Sequence, residues 1–159
     1  MTTTKRATPE RLADQARAMR DHNAYAVLLQ DAIARSAGLN GVDLQVVGVL
    51  MTSGPTTPGE LAARVGVSSG GAITALVDRL QRAGWVTRRR DEQDRRRVLV
   101  EAVPAHVLEQ VGEVYERLSA RWDAYLSGLS DEQVALITDA LDAATAINRE
   151  EVERLRTSR

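Results

Sequence analysis

Residues 57–103 read TPGELAARVGVSSGGAITALVDRLQRAGWVTRRRDEQDRRRVLVEAV, and the order of local signals in this run decides the fold. Thr57 and Glu60 stand three residues apart ahead of an apolar run, with Pro58 at the first helical position, which is the pattern of a capping box. The short helix that follows offers Leu61, Ala62 and Val65 to a core, and Gly66 turns the chain. Ser68 opens a second helix, on which Ile73, Leu76, Val77 and Leu80 fall at i, i+3, i+4 and i+7 and so form one stripe. Gly84 releases the chain from that helix. Trp85–Arg89 and Arg97–Val103 are strand-like, the second alternating so that Val98, Val100 and Ala102 share a side. The polar span Arg90–Arg96 between them is a hairpin tip.

Helix, turn, helix and basic hairpin in this order predict a mainly α fold with a small β-hairpin: a winged helix-turn-helix. A helix fits the major groove of a DNA duplex, and an arginine fits the narrow minor groove. The charge distribution agrees. The chain carries a formal net charge of −1 over 159 residues, yet between Arg64 and Arg97 nine arginines face only Asp78, Asp91, Glu92 and Asp94. A basic face on a neutral protein is what a duplex binder needs. A solvated arginine-rich hairpin has the same composition.

Outward from this core the chain is helical. Thr8 caps and Pro9 starts a long helix with Leu12, Ala16, Met19, Ala26, Leu29 and Ile33 at helical spacing, ending near Ala37-Gly38. A second helix is predicted from about Asp43, its cap, to Thr52, with Leu44, Val47 and Leu50 inward and Ser53-Gly54-Pro55 as the stop. After the hairpin, Pro104 starts a helix whose residues Val107, Val111, Val114, Leu118, Trp122, Tyr125 and Leu129 form a nearly continuous seam. Ser130 and Gln133 make another capping box, and the last helix carries Val134, Ile137, Leu141, Ala144 and Ile147. The expected division is 8–38 and 104–155 for dimerisation and 39–103 for DNA binding.

On the second helix of the pair, the side opposite the stripe shows Gly71, Thr74, Ala75, Asp78 and Arg82, and its first turn holds Ser68, Ser69, Gly70 and Gly71. Small residues at a helix start let free N–H groups approach phosphates; close helix packing is the alternative reading of Gly70-Gly71. Thr74 is the best-placed base reader. At the tip, Arg95 and Arg96 reach for a minor groove while Asp94 fixes a neighbouring guanidinium; ion pairs within the hairpin are the alternative. Arg79, Arg82 and Arg90 complete the expected DNA-binding set with Ser68, Ser69, Gly70, Gly71, Thr74, Asp94, Arg95 and Arg96.

The runs Gly54-Pro55-Thr56-Thr57-Pro58-Gly59-Glu60-Leu61-Ala62, Val77-Asp78-Arg79-Leu80-Gln81-Arg82-Ala83-Gly84-Trp85-Val86 and Asp94-Arg95-Arg96-Arg97 resemble the MarR family of bacterial transcriptional regulators. The resemblance implies a triangular obligate homodimer, with the first and last two helices of each chain interlocked. Ser68–Ala83 becomes the recognition helix, and Asp94 with Arg96 the wing pair. Where the family often has Leu-Thr after the wing, this chain has Ala102-Val103, which alters the cap of the next helix, a task Pro104 partly covers. The resemblance also implies a repressor released by a small aromatic acid or phenol. His22, Tyr25, Asp43 and Trp122 are the candidate pocket residues; core or dimer packing for Tyr25 and Trp122, a satisfied interface histidine for His22 and a helix cap for Asp43 are the alternatives. From physics alone, apolar helices at both chain ends call for a partner surface, or for an intramolecular bundle.

Other chemistry lacks parts. The chain has no cysteine, which removes disulfides and thiol redox sensing, and two histidines, His22 and His106, do not suggest a metal site. No nucleophile–base constellation is visible, so neither enzyme activity nor a cofactor is expected. No apolar run spans a bilayer and the N-terminus lacks a signal-peptide core, so a cytoplasmic protein is expected. The competing class is a winged-helix adaptor that docks proteins without touching DNA.

Overall fold

The computed structural model describes residues 6–67 and 70–157, and the chain divides into two compact units, one ending at Glu113 and the other beginning at Val114. In the first unit, α1 (Pro9–Ser36) starts where predicted: the Thr8 side chain accepts from the Arg11 N–H at 3.3 Å, and Pro9 occupies the first turn. Gly38, at φ 70°, ends it.

The start of α2 (Gly41–Ser53) differs from expectation. Asn40, not Asp43, is the cap. The Asp43 N–H donates to the Asn40 side chain at 2.9 Å, and the Asp43 carboxylate accepts from the Asn40 N–H at 3.3 Å. Both residue types cap helices; here they do so reciprocally, with Asp43 one turn inside.

The helix-turn-helix is α3 (Pro58–Val65) and α4 (Gly70–Arg82), with the Thr57–Glu60 capping box formed and Gly66 left-handed at φ 73° between them. Ser68, the expected start of α4, lies outside the described residues. All four residues of the α4 stripe are buried, Val77 and Leu80 completely. They meet Leu61 of α3, Val46, Val47 and Leu50 of α2, and Trp85 and Val86 beyond Gly84 in one core.

The wing is an antiparallel pair, β1 (Val86–Arg90) and β2 (Val98–Ala102), in register from Val86 opposite Ala102 to Arg90 opposite Val98. Thr56 adds a bridge to β2 by exchanging backbone bonds with Val100 at 2.9 and 3.0 Å. Of the alternating trio only Val100 is buried; Val98 is 37% exposed, because the outer rungs project beyond the core.

After the hairpin the seam is not one regular helix. Pro104 begins α5 (Pro104–Val107), which passes into a π-helical turn over Leu108–Gly112 before α6 (Glu113–Leu126). Val103 occupies the cap position without a side-chain bond, and Pro104 stands at the first helical position. Val107 and Val111 are buried in the core of the first unit. Leu129 falls in the turn between α6 and α7 (Asp131–Thr157), outside the helix it was expected to continue. The Ser130–Gln133 capping box forms at 2.9 and 3.3 Å.

In the second unit no residue of α6 or α7 is buried. Trp122 and Tyr125 stack at 5.4 Å and are both exposed, as are Leu141, Ile147 and Leu155 of α7. Among the described residues no helix is long and apolar enough to cross a membrane.

Candidate nucleic-acid interface

The outward face of α4 presents Gly70, Gly71, Thr74, Ala75, Asp78, Arg79 and Arg82, all exposed. Ser68 and Ser69, expected in the same first turn, lie outside the described residues. An added Cβ at Gly70 or Gly71 would meet nothing within 4 Å, so neither glycine is explained by close packing. The Thr74 hydroxyl donates to the Gly70 carbonyl at 2.8 Å. Its proton is thereby engaged, leaving the methyl and an acceptor oxygen for a base edge. Arg82 leans back on its own helix, donating from Nε to the Asp78 carbonyl at 3.3 Å.

The wing tip is built by aspartates acting on the backbone. Asp94 accepts from the Arg96 N–H at 3.0 Å, and Asp91 accepts from the Gln93 N–H at 2.9 Å. Asp94 therefore shapes the turn and does not grip a neighbouring guanidinium as the sequence reading had it. The short side chain closes an Asx turn more readily than it reaches a long arginine. Arg90 braces the turn by donating to the Arg95 carbonyl at 2.7 Å. Among the described residues, the Arg95 and Arg96 guanidinia have neither an ion-pair nor a hydrogen-bond partner. These two exposed cations stand at the end of a braced finger.

Four other arginines of the basic segment are committed within the protein. Arg88 of β1 pairs with Asp78 of α4 at 2.6 Å, and Arg89 with Glu101 across the hairpin at 3.0 Å. Arg97 pairs with Glu60 of α3 at 3.4 Å. Arg79 reaches from α4 to Asp43 of α2, with Nη2 on one carboxylate oxygen and Nε on the other. Hydrogen bonding to Asp43 holds the Arg79 guanidinium above its ordinary range. Glu60 also accepts from the Thr57 N–H and from the Thr56 and Thr57 hydroxyls. Those bonds, the Thr57 backbone first, lower its carboxyl to about 2. The sequence reading named none of Glu60, Arg88 and Arg97 as site residues, although the three tie the wing to both helices of the motif. Their partners lie too far along the chain for spacing to reveal.

His22 and Tyr25 lie exposed on α1, and Trp122 is exposed on α6. Asp43 is 2% exposed and held by Asn40 and Arg79. A cleft of about 470 Å³ opens between α1 and α2, lined by Ala26, Val27, Leu28, Gln30, Asp31, Gly41 and Gln45.

A sequence model of the MarR family matches residues 37–97 of this chain. The HTH-type transcriptional regulator YcgE of Bacillus subtilis (strain 168), itself uncharacterized, is 37% identical over 130 residues, which span 82% of this chain and 83% of YcgE. Among solved structures, Streptococcus pneumoniae FabT in complex with DNA aligns with a TM-score of 0.63 at 18% identity, over 90% of this chain and 99% of FabT. NadR in complex with 4-hydroxyphenylacetate aligns with a TM-score of 0.56 at 23% identity, over 91% of this chain and 96% of NadR. The two structural likenesses show the shared fold.

Proposed function

The chain belongs to the MarR family of helix-turn-helix transcriptional regulators, and on that premise we propose that it acts as a homodimer clasping a near-palindromic operator, with α4 in the major groove and the wing in the minor groove. The observation that carries this reading is the pair of unengaged guanidinia, Arg95 and Arg96, on a turn that Asp91, Asp94 and Arg90 brace. Cations held out on an ordered finger, beside a helix whose outward face is small, match the shape of two adjacent grooves. FabT, solved with DNA, supports the same reading. A twofold dimer sets its two heads about one helical turn, ~10 bp, apart.

The dimer is supported by the uncovered apolar side chains of α6 and α7, since monomers rarely leave so much apolar surface in water. We further propose that the protein is a cytoplasmic repressor released by a small aromatic acid. NadR, solved with 4-hydroxyphenylacetate, supports the ligand class, and the α1–α2 cleft has the size of a small-molecule pocket.

Arg96→Ala tests the duplex reading. Affinity for a selected operator falls by about 1–3 kcal/mol, and wild-type binding weakens with salt at a log–log slope of roughly −5 to −9. A protein-docking adaptor would bind no duplex and have no affinity to lose; salt-independent binding would equally end the proposal.

A further inference from the structure

Resting on the duplex reading above, we infer that Arg88 is a positioning residue for DNA recognition, clamping the wing to the recognition helix through Asp78 and Gln81. Asp78 occupies the middle of the outward face of α4, where an unpaired carboxylate would repel phosphate. Arg88 answers it from β1: Nη2 lies 2.6 Å from the Asp78 carboxylate, while Nη1 donates to the Gln81 side chain. Residues 78 and 81 are one helical turn apart on the same face, so the planar fork holds two points of α4 at once. The Arg88 side chain is 27% exposed, against 40% for Arg89 and 49% for Arg97, which makes it the most enclosed of the three wing arginines held in ion pairs. Its backbone sits at the best-anchored rung of the hairpin, opposite the buried Val100 that also bridges to Thr56. The Arg95–Arg96 tip lies roughly 10–15 Å beyond that rung at the usual rise per strand residue. A tilt of about 10° at the clamp therefore moves the tip by about 2 Å, more than a groove contact tolerates. The pair is too exposed to matter much for folding; its consequence is the angle between wing and helix.

The test is a mutant cycle on the full chain, read with a fluorescent duplex enriched from a random pool by the wild-type protein. Arg88→Gln weakens binding about tenfold, and Arg88→Lys does nearly the same, because an ammonium cannot hold both acceptors. In the Asp78→Ala/Gln81→Ala background, Arg88→Gln costs less than about twofold, and the salt slope of every variant stays within about half a unit of wild type. Melting temperatures stay within about 3 °C, as an exposed pair predicts, so the losses are not unfolding. The opposite pattern overturns the clamp and makes Arg88 a phosphate contact: equal loss in both backgrounds, affinity kept by lysine, and a slope shallower by about 1. If the wild-type chain enriches no duplex at all, the duplex reading itself fails before any variant is made.

Discussion

Arg79→Met should reveal how much of the fold leans on one carboxylate. The Asp43 side chain is 4% exposed and receives two guanidinium N–H groups from Arg79, besides the Asn40 N–H at 3.3 Å. Methionine keeps the stem of Arg79 and removes the fork, leaving the carboxylate with the Asn40 bond alone. Breaking a fully buried pair this way costs about 3–5 kcal/mol. Arg79 is 49% exposed, so water can enter the vacated side, and we reduce the figure to roughly 2 kcal/mol. For a chain of this size that is a melting-point drop of about 4–8 °C. Urea and thermal unfolding, at one fixed protein concentration because association shifts both midpoints, measure it. Asp43→Asn in the same chain removes the stranded charge while keeping an acceptor for Asn40, so the double variant recovers at least half the loss. A single variant within about 0.5 kcal/mol of wild type, or a double variant no better than Arg79→Met, would refute the reasoning. The double variant also separates the two duties of Arg79: a salt slope shallower by about 1 would assign it a phosphate as well.

Glu60 has a folded-state carboxyl lowered from 4.5 to about 2, so the stability it contributes is present above pH 4.5 and is lost as pH falls toward 2. The difference in urea midpoint between wild type and Glu60→Gln should therefore be constant near neutrality and shrink across that window; a constant difference down to pH 2 contradicts the assignment. Trp122→Glu with Leu141→Glu should convert a dimer to monomer in sedimentation velocity, because two charges would enter an apolar seam; a wild-type monomer at micromolar concentration would remove the dimer altogether. 4-Hydroxyphenylacetate at millimolar concentration should raise the melting point and weaken duplex binding together; neither change would appear if this chain takes no ligand of that class.

The parts of the fold that were legible in the sequence are those written in short-range patterns. Thr57 to Glu60, Ser130 to Gln133, Thr8 to Arg11 and the α4 stripe each involve residues three or four apart, and the structure forms every one. Asn40 was missed because Asp43, three residues on, is as good a cap by type, and only the backbone geometry shows which of the two stands outside the helix. The π-helical turn at Leu108–Gly112 was also hidden, since a step of three or four between apolar residues does not distinguish a regular turn from one widened by a residue. Alternation puts Val98 on the same side as the buried Val100 but does not say how far the core extends beneath that side, and Val98 is exposed.

The candidate site was legible as a quantity of charge and illegible as an arrangement. Counting arginines between 64 and 97 locates a basic segment, but it cannot say which of them face outward. Arg79, Arg88, Arg89 and Arg97 find carboxylates at separations of 36, 10, 12 and 37 residues. No periodicity encodes such distances; they follow from tertiary packing of α2, α3, α4 and the hairpin. The same electrostatics then serves two ends. Where a carboxylate is within reach, an arginine orders one element against another and its charge is screened from a phosphate. Where the guanidinium is unpaired among the described residues, as at Arg95 and Arg96, its charge is left for a phosphate on the proposed reading. A winged head that is to read a groove needs both kinds, because a free cation on an unanchored finger gives affinity without register. On the proposed duplex reading, Asp78 and Glu60 belong to the recognition surface through the arginines they hold: deleting either should give the basic face more net charge and a less fixed geometry.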